Sequence, residues 1–337
     1  MPELLDTTAG SVTIRVLAVI VVFLVSPLVV GQLEHKAMAH MQGRMGPMYA
    51  GGYHGWAQLV ADAVKFVQKE EVIPAAADRW VYRIAPAVSL VPYMVAMSVI
   101  PLSATIVAAD AEASLLFVLA ASAVGIVGTL MAGWASASKY SLLGAMRSAA
   151  QLLSYEVPVV LAAGSVAMAA GSLSLTAIVD AWQPWWLLWQ APAAFVFFAA
   201  GLAEIQRSPF DMPIADTELV VGPYTEYGGL RFALFLFVEY AGMVLLSGMT
   251  SVLFLGGWGV PFSWFGWESL DDVSNWMNIV GPLILFTKMM LLSGLIMWVR
   301  FSYPRFREDQ LQRFAWKVLI PLSILNIAVT AVVKVAV

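Results

Sequence analysis

The sequence has no cysteine, three histidines and only 12% charged residues in a chain of 337. Without cysteine there is no disulfide, no thiolate-bound zinc and no cysteine-held iron–sulfur cluster. His35, His40 and His54 share one polar stretch, so no histidine pair on separate apolar segments is available to grip a haem. Neither the P-loop pattern nor the dinucleotide fingerprint occurs. The glycines of GRMGPMYAGGYHG read as turn chemistry rather than a phosphate cradle. No flavin, haem, iron–sulfur cluster or metal is therefore expected on this chain, and no catalytic residue stands out.

Scarcity of charge also fixes the solvent. The 61% hydrophobic content and mean hydropathy of +0.81 lie beyond the range of soluble domains, which run at about 45–50% apolar and about 25% charged. A formal net charge of -4 then says nothing in favour of a nucleic-acid partner, and none is expected; what matters in lipid is how charge divides between loops. Crossing the hydrocarbon core takes about 20 helical residues. The windows that qualify are 12–33, 86–109, 114–134, 156–179, 186–203, 231–256, 279–299 and 316–336. The expected fold is all-α: a polytopic membrane protein of about eight transmembrane helices forming a single integral-membrane domain over 1–337.

Lysine and arginine fall in alternate connections. Apart from Arg15, Lys288 and Lys334, all of them lie in the first, third, fifth and seventh. This asymmetry predicts that the odd connections are cytoplasmic and both termini extracytoplasmic. The even connections instead carry Trp182, Trp185, Trp186, Trp258, Trp264, Trp267 and Trp276, expected as interfacial lipid anchors.

The first connection, 34–85, is too long to be structureless. Between 53 and 71 the apolar Trp56, Leu59, Val60, Ala63, Phe66 and Val67 recur at helical steps, with Asp62, Lys65, Lys69 and Glu70 opposite. An interfacial amphipathic helix is expected there. The fifth connection, 204–230, concentrates acids: Glu204, Asp211, Asp216, Glu218 and Glu226, with Glu239 following inside the next apolar run. A charge at a helix centre costs roughly 2.5–3.5 kcal/mol on insertion scales, so ionisable groups there face protein or water and mark ion or proton paths. Glu156, Glu204, Glu239 and Lys288 fall in or at the ends of apolar windows.

Four separated stretches then resemble one family. They are GQLEHKAMAHMQGRMGP with ADAVKFVQKE, GWASASKYSLLGAMRSAAQLLSYEVP, RSPFDMP with TEYGGLRFALF, and YPRFREDQLQRFAWKVLIPL. In this order, and nearly end to end, the chain resembles the H-type membrane subunits of bacterial NADH-quinone oxidoreductase, respiratory complex I, whose mitochondrial counterpart is NADH dehydrogenase subunit 1. The resemblance implies a bacterial cell-membrane subunit, inactive alone, that forms the membrane end of a quinone chamber roofed by peripheral subunits, including those that carry Fe–S clusters. Quinone would be the substrate, and the other subunits and the bilayer the partners. By the same resemblance Glu34, Lys36, Gln42, Arg44, Asp62 and Lys65 would line or shape the way in for the quinone. Glu156, Glu204, Asp211, Asp216, Glu218, Glu226 and Glu239 would couple quinone chemistry to a proton path, with Arg147 and Arg207 as counter-charges.

The chain departs from that pattern in the acidic connection. Where the family has Glu-Thr-Asn-Arg, this sequence has Ile205 and Gln206 between Glu204 and Arg207; Ile214 replaces an acid, and Asp216 stands where a longer acid is common. A Glu-Arg-Lys turn is here Glu34-His35-Lys36, exchanging a permanent charge for a group that can titrate. Two other readings stay open on sequence alone. One is the anchoring subunit of a membrane-bound hydrogenase or other-donor dehydrogenase. The other is an autonomous transporter using Glu239 and Lys288, which lacks the internal repeat such folds show.

Overall fold

The computed structural model describes residues 8–103, 106–214, 216–259 and 274–336. Among them the regular structure is helical, with eight helices long and apolar enough to cross a membrane. In chain order, α1 (Thr8–Met41) is followed by a 3-10 turn (Tyr53–Gly55) and α2 (Gln58–Gln68). Then come α3 (Arg79–Met97), α4 (Ser114–Ala135), α5 (Lys139–Ala170), the short α6 (Leu175–Ala181) and α7 (Trp186–Glu204). The one-turn α8 (Asp216–Leu219), α9 (Gly229–Phe254), α10 (Ser274–Ser302) and α11 (Glu308–Phe314) follow. A π-helical turn, Ala315–Leu319, joins α11 to α12 (Ile320–Ala336), so the last span runs unbroken from Glu308 to Val335.

Three boundaries differ from those read in the sequence, each for a local reason. The first helix does not stop at residue 33; it continues to Met41, so Glu34, His35 and Lys36 are helical rather than part of a loop. The second starts at Arg79 and ends at Met97, because the Asp78 carboxylate accepts hydrogen bonds from the Trp80 and Val81 amides and caps it there. The window 156–179 joins the second half of α5 to part of α6. The first half of α5 carries Ser141, Ser148, Gln151 and Ser154, all buried against protein rather than lipid, which lowers its hydropathy. The helix ends where Gly171 turns left-handed, at φ 74°.

Helix α9 is the hub, packing against α1, α2, α3, α7 and α10, while α5 packs against α4, α7 and α12. Small residues permit close approach: a Cβ on Gly128 of α4 would stand 2.2 Å from the Ser89 hydroxyl of α3. Polar side chains buried in the bundle satisfy one another. Asn326 on α12 donates to Gln190 on α7 at 3.0 Å, and the Ser165 hydroxyl on α5 donates to the same Gln190 oxygen at 3.0 Å.

Two expectations at the tryptophan-rich end change. Trp186 and Trp258 are buried, and the Trp182 indole donates to the Phe254 carbonyl at 3.1 Å. These rings hold α7 and the end of α9 in place rather than anchoring in lipid, whereas Trp185 is more open, at 37% exposure. Trp264 and Trp267 lie outside the described residues, as does the side chain of Trp276. Lys288 has a structural task besides the ion path expected of it. Its ammonium donates to the Leu255, Gly257 and Gly259 carbonyls, each at 2.7 Å, and so terminates α9 from the neighbouring helix α10.

Candidate functional site: a buried arginine near two cavities

The connection from α7 to α9 is folded back into the bundle. Gln151 on α5 donates through one amide nitrogen to the Ala203 carbonyl at 2.7 Å and the Phe210 carbonyl at 2.8 Å, gripping the turn between them. Gln206 takes a positive φ of 56° in that turn. Phe210 packs against Phe306 and Phe314, with ring centroids 5.5 and 6.2 Å away, and the Phe306 amide donates to the Pro209 carbonyl at 3.1 Å. Further on, Gly222 is required: its φ is +56° and a Cβ there would lie 2.0 Å from the Pro213 carbonyl oxygen.

The turn delivers Arg207, 1% exposed, into the bundle. Its Nη1 donates to Glu34 Oε1 of α1 at 2.7 Å. Its Nε lies 2.7 Å from Glu239 Oε1 of α9, off the N–H direction, so this contact is an ion pair rather than an aligned hydrogen bond. Arg300 on α10 also contacts Glu34 Oε1, and the Tyr240 ring lies 5.0 Å from the Arg207 guanidinium carbon. Burial works against the guanidinium charge, but the carboxylates of Glu239 and Glu34 outweigh it and raise the pKa, so Arg207 stays cationic. Two carboxylates and two guanidiniums thus join α1, α9, α10 and the turn after α7. Glu34 Oε2 and Arg207 Nη2 are buried without a hydrogen-bond partner among the described residues.

Two cavities adjoin this cluster, one through Glu239 and the other through Tyr240, which packs on Arg207. The larger, of about 480 Å³, is an open groove bordered by α1, α2 and α9; Leu59, Phe66 and Phe237 give it an apolar wall, and His35, Asp62, Lys65 and Tyr240 a polar one. The smaller, of about 80 Å³, is lined by Glu204, Glu239, Tyr93, Thr129 and Tyr224. Leu236 borders both, and Tyr240, which packs on Arg207, borders the larger one. Tyr224 and Thr129 share a 3.1 Å hydroxyl contact, and burial pushes the Tyr224 phenol up to about 12, so it is a neutral hydrogen-bonding group at ordinary pH. A third, narrow cavity of about 30 Å³ continues from Glu204 past Ser122. Glu156 is near enough to Glu204 for their charges to interact. Ile205, Gln206 and Ile214 all line the smaller cavity.

Of the residues singled out in the sequence, Glu34, Arg207 and Glu239 come together, with Glu204 across the smaller cavity from Glu239. Asp62 and Lys65 line the larger cavity, 3.4 Å apart. The others serve local contacts. Lys36 donates to the Pro47 carbonyl, and Arg44 to Gln42 at 2.8 Å on the surface. Arg147 pairs with Glu218 at 2.5 Å and Asp211 with Arg305 at 2.9 Å, tying the acidic connection to α5 and to the chain before α11. Glu226 offers its backbone carbonyl to the Tyr82 hydroxyl at 2.7 Å. Asp216 begins α8, and its side chain lies outside the described residues. Sequence reasoning missed Arg300, Tyr240 and Tyr224. Arg300 counted only as a loop charge, although it closes an apolar run, and the tyrosines carried no charge to draw attention. Among the described residues no three of His, Asp and Glu converge as metal ligands.

The described residues thus form an eight-span helical membrane protein with a buried, ion-paired arginine close to an apolar-walled cavity and a carboxylate-lined one. Sequence comparison gives the lineage. The family model described as NADH dehydrogenase matches residues 14–331, and the chain belongs to that family. It is 43% identical to the NADH-quinone oxidoreductase H subunit of Geobacillus kaustophilus, over 89% of this chain and 87% of the relative. It is 41% identical to the second H-type subunit of the same enzyme in Geobacter metallireducens, over 96% and 95%, and 42% identical to the second one in Rhizobium meliloti, over 96% and 97%.

Proposed function

We propose that the chain is the quinone-facing membrane subunit of an NADH-quinone oxidoreductase, and that the Glu34–Arg207–Glu239 cluster couples quinone reduction to proton transfer. Its relatives carry the name of that enzyme complex over nearly their whole length. The observation that carries the coupling is that Arg207 is ion-paired to Glu239, which lines the 80 Å³ cavity, and packs against Tyr240, which borders the 480 Å³ cavity.

A quinone has an apolar isoprenoid tail and a head group that needs few polar contacts. The larger cavity offers both surfaces, with Leu59, Phe66 and Phe237 for the tail and Asp62, Lys65 and His35 for the head group on its way in. Two-electron reduction leaves negative charge that protons or cations must meet. Arg207 and Arg300 are the buried or half-buried cations nearest that need. When either shifts toward new negative charge, Glu34 and Glu239 lose compensation and bind protons more readily. Glu239, Glu204 and Glu156 then form the start of a carboxylate path into the bundle, with Tyr224 and Thr129 as neutral relays beside it. The acidic connection, pinned by Arg147–Glu218 and Arg305–Asp211, is the element that moves; Asp216 and Glu226 add to its negative charge.

In this reading the whole chain is one integral-membrane domain of a bacterial cell membrane. The basic connections lie in the cytoplasm beneath the peripheral subunits and both termini lie outside. Photolabelling of the purified complex with an azido-quinone tests the site. Label on peptides from 58–69 and 233–240 is expected, and label confined to other subunits or to lipid-facing helices would overturn it.

A further inference from the structure

At the end of the bundle opposite Arg207, the last turns of α5 and α12 meet the first turn of α7 around a cavity of about 390 Å³. Its apolar wall includes Ala181 and Val333, the Gln183 amide oxygen is occupied by the Trp185 N–H, and Lys334 is the one charged side chain among the described residues that line it. The Lys334 ammonium sits at the mouth and donates to the Ala169 carbonyl at 2.8 Å, which uses one of its three N–H groups. The Trp189 indole nitrogen is buried with no hydrogen-bond partner among the described residues, although an indole N–H in such a place normally has one. Its neighbour Trp185 lies 5.9 Å away between ring centroids, and the Trp185 N–H is already committed to Gln183. Among the described residues no carboxylate lines the cavity: Asp180 directly precedes Ala181 but is not part of the wall.

We propose that this cavity is a binding site for one anionic phospholipid. The phosphate oxygens take the remaining Lys334 donors and the Trp189 N–H, and the acyl chains run along the wall formed by Ala181 and Val333. The single positive charge of the lining selects the head group. A phosphate with no accompanying cation matches Lys334, whereas a choline or ethanolamine head would bring a positive charge to a wall with no carboxylate to receive it. The position suits a lipid as well, because aromatic rings and a lysine at a helix end are the groups that sit at head-group depth.

The test is native mass spectrometry of the intact complex purified from membranes, after mild delipidation and titration with phosphatidylglycerol or phosphatidylcholine. Wild type should retain one phosphatidylglycerol that Lys334→Gln loses, with occupancy falling at least about fivefold, the factor that corresponds to about 1 kcal/mol. Trp189→Phe keeps the ring but not the donor and should weaken retention in the same direction, while Lys334→Arg should preserve it. Equal retention by wild type and Lys334→Gln would overturn the proposal, as would equal affinity for phosphatidylcholine. So would a map of the complex in which a helix of a neighbouring subunit fills the cavity.

Discussion

Replacing Arg207 by methionine removes a cation from between two carboxylates while keeping a side chain of similar reach. Arg207 is 1% exposed and Glu34 3%, and removing one partner of a buried ion pair typically costs about 3–5 kcal/mol, because the other charge is left uncompensated. Two features of the site place the cost near the lower end, at about 3 kcal/mol. Arg300 still neutralises Glu34, and the Glu239 side chain keeps 25% exposure, facing the smaller cavity. Most of the loss therefore falls on Glu239. Adding Glu239→Gln to Arg207→Met removes that stranded charge and should restore roughly 1–2 kcal/mol of the stability, a coupling within the range seen for contacting residues. The assay is thermal melting of the purified complex in detergent for wild type, both single variants and the double variant. Arg147→Gln serves as the surface comparison; its partner Glu218 is 59% exposed, so its loss should cost less than about 1 kcal/mol. If Arg207→Met melts within the range of Arg147→Gln, or if the two core substitutions simply add, the reasoning about a buried compensated cluster is wrong.

Lys288→Met should lower the melting temperature without changing quinone reduction at temperatures where the fold is intact. It strands the Leu255, Gly257 and Gly259 carbonyls, for a cost of about 1–3 kcal/mol, and a selective loss of proton transfer instead would restore Lys288 to an ion path. For Tyr224 the neutral phenol is the form the fold prefers, since burial raises it to about 12 from 10.0. Its contribution is complete below pH 10 and is lost as pH rises through 12, so Tyr224→Phe should flatten the fall in melting temperature above pH 10; an unchanged alkaline slope would count against burial of that hydroxyl.

The number of spans was legible in the sequence because lipid imposes a length and a composition on every crossing helix. What hydropathy could not reveal was which polar residues face inward. Ser141, Ser148, Gln151 and Ser154 made the first half of α5 look like a connection, although they are buried in the bundle. Glu34-His35-Lys36 looked like the start of a loop for the same reason, yet α1 carries all three to its end at Met41. The acids Glu204 and Glu239 stood out as candidates because a charge in an apolar run needs a partner. The partner itself was only half visible. Arg207 is 173 positions from Glu34 and Arg300 is 266, distances over which a single sequence gives no sign of contact. Lys288 has an explanation the sequence did not offer: an intramembrane charge can also serve a helix end that needs capping, and only the fold of α9 and its glycine turn supplies that end.

Proton translocation measured against quinone reduction, with the Glu239→Gln complex reconstituted in vesicles, tests the coupling claim most directly. The substitution keeps the size of the side chain and removes the charge opposite Arg207. The complex should assemble, and protons moved per quinone reduced, or quinone reduction itself, should fall at least several-fold below wild type. An assembled Glu239→Gln complex that reduces quinone and moves protons at the wild-type ratio would contradict the account.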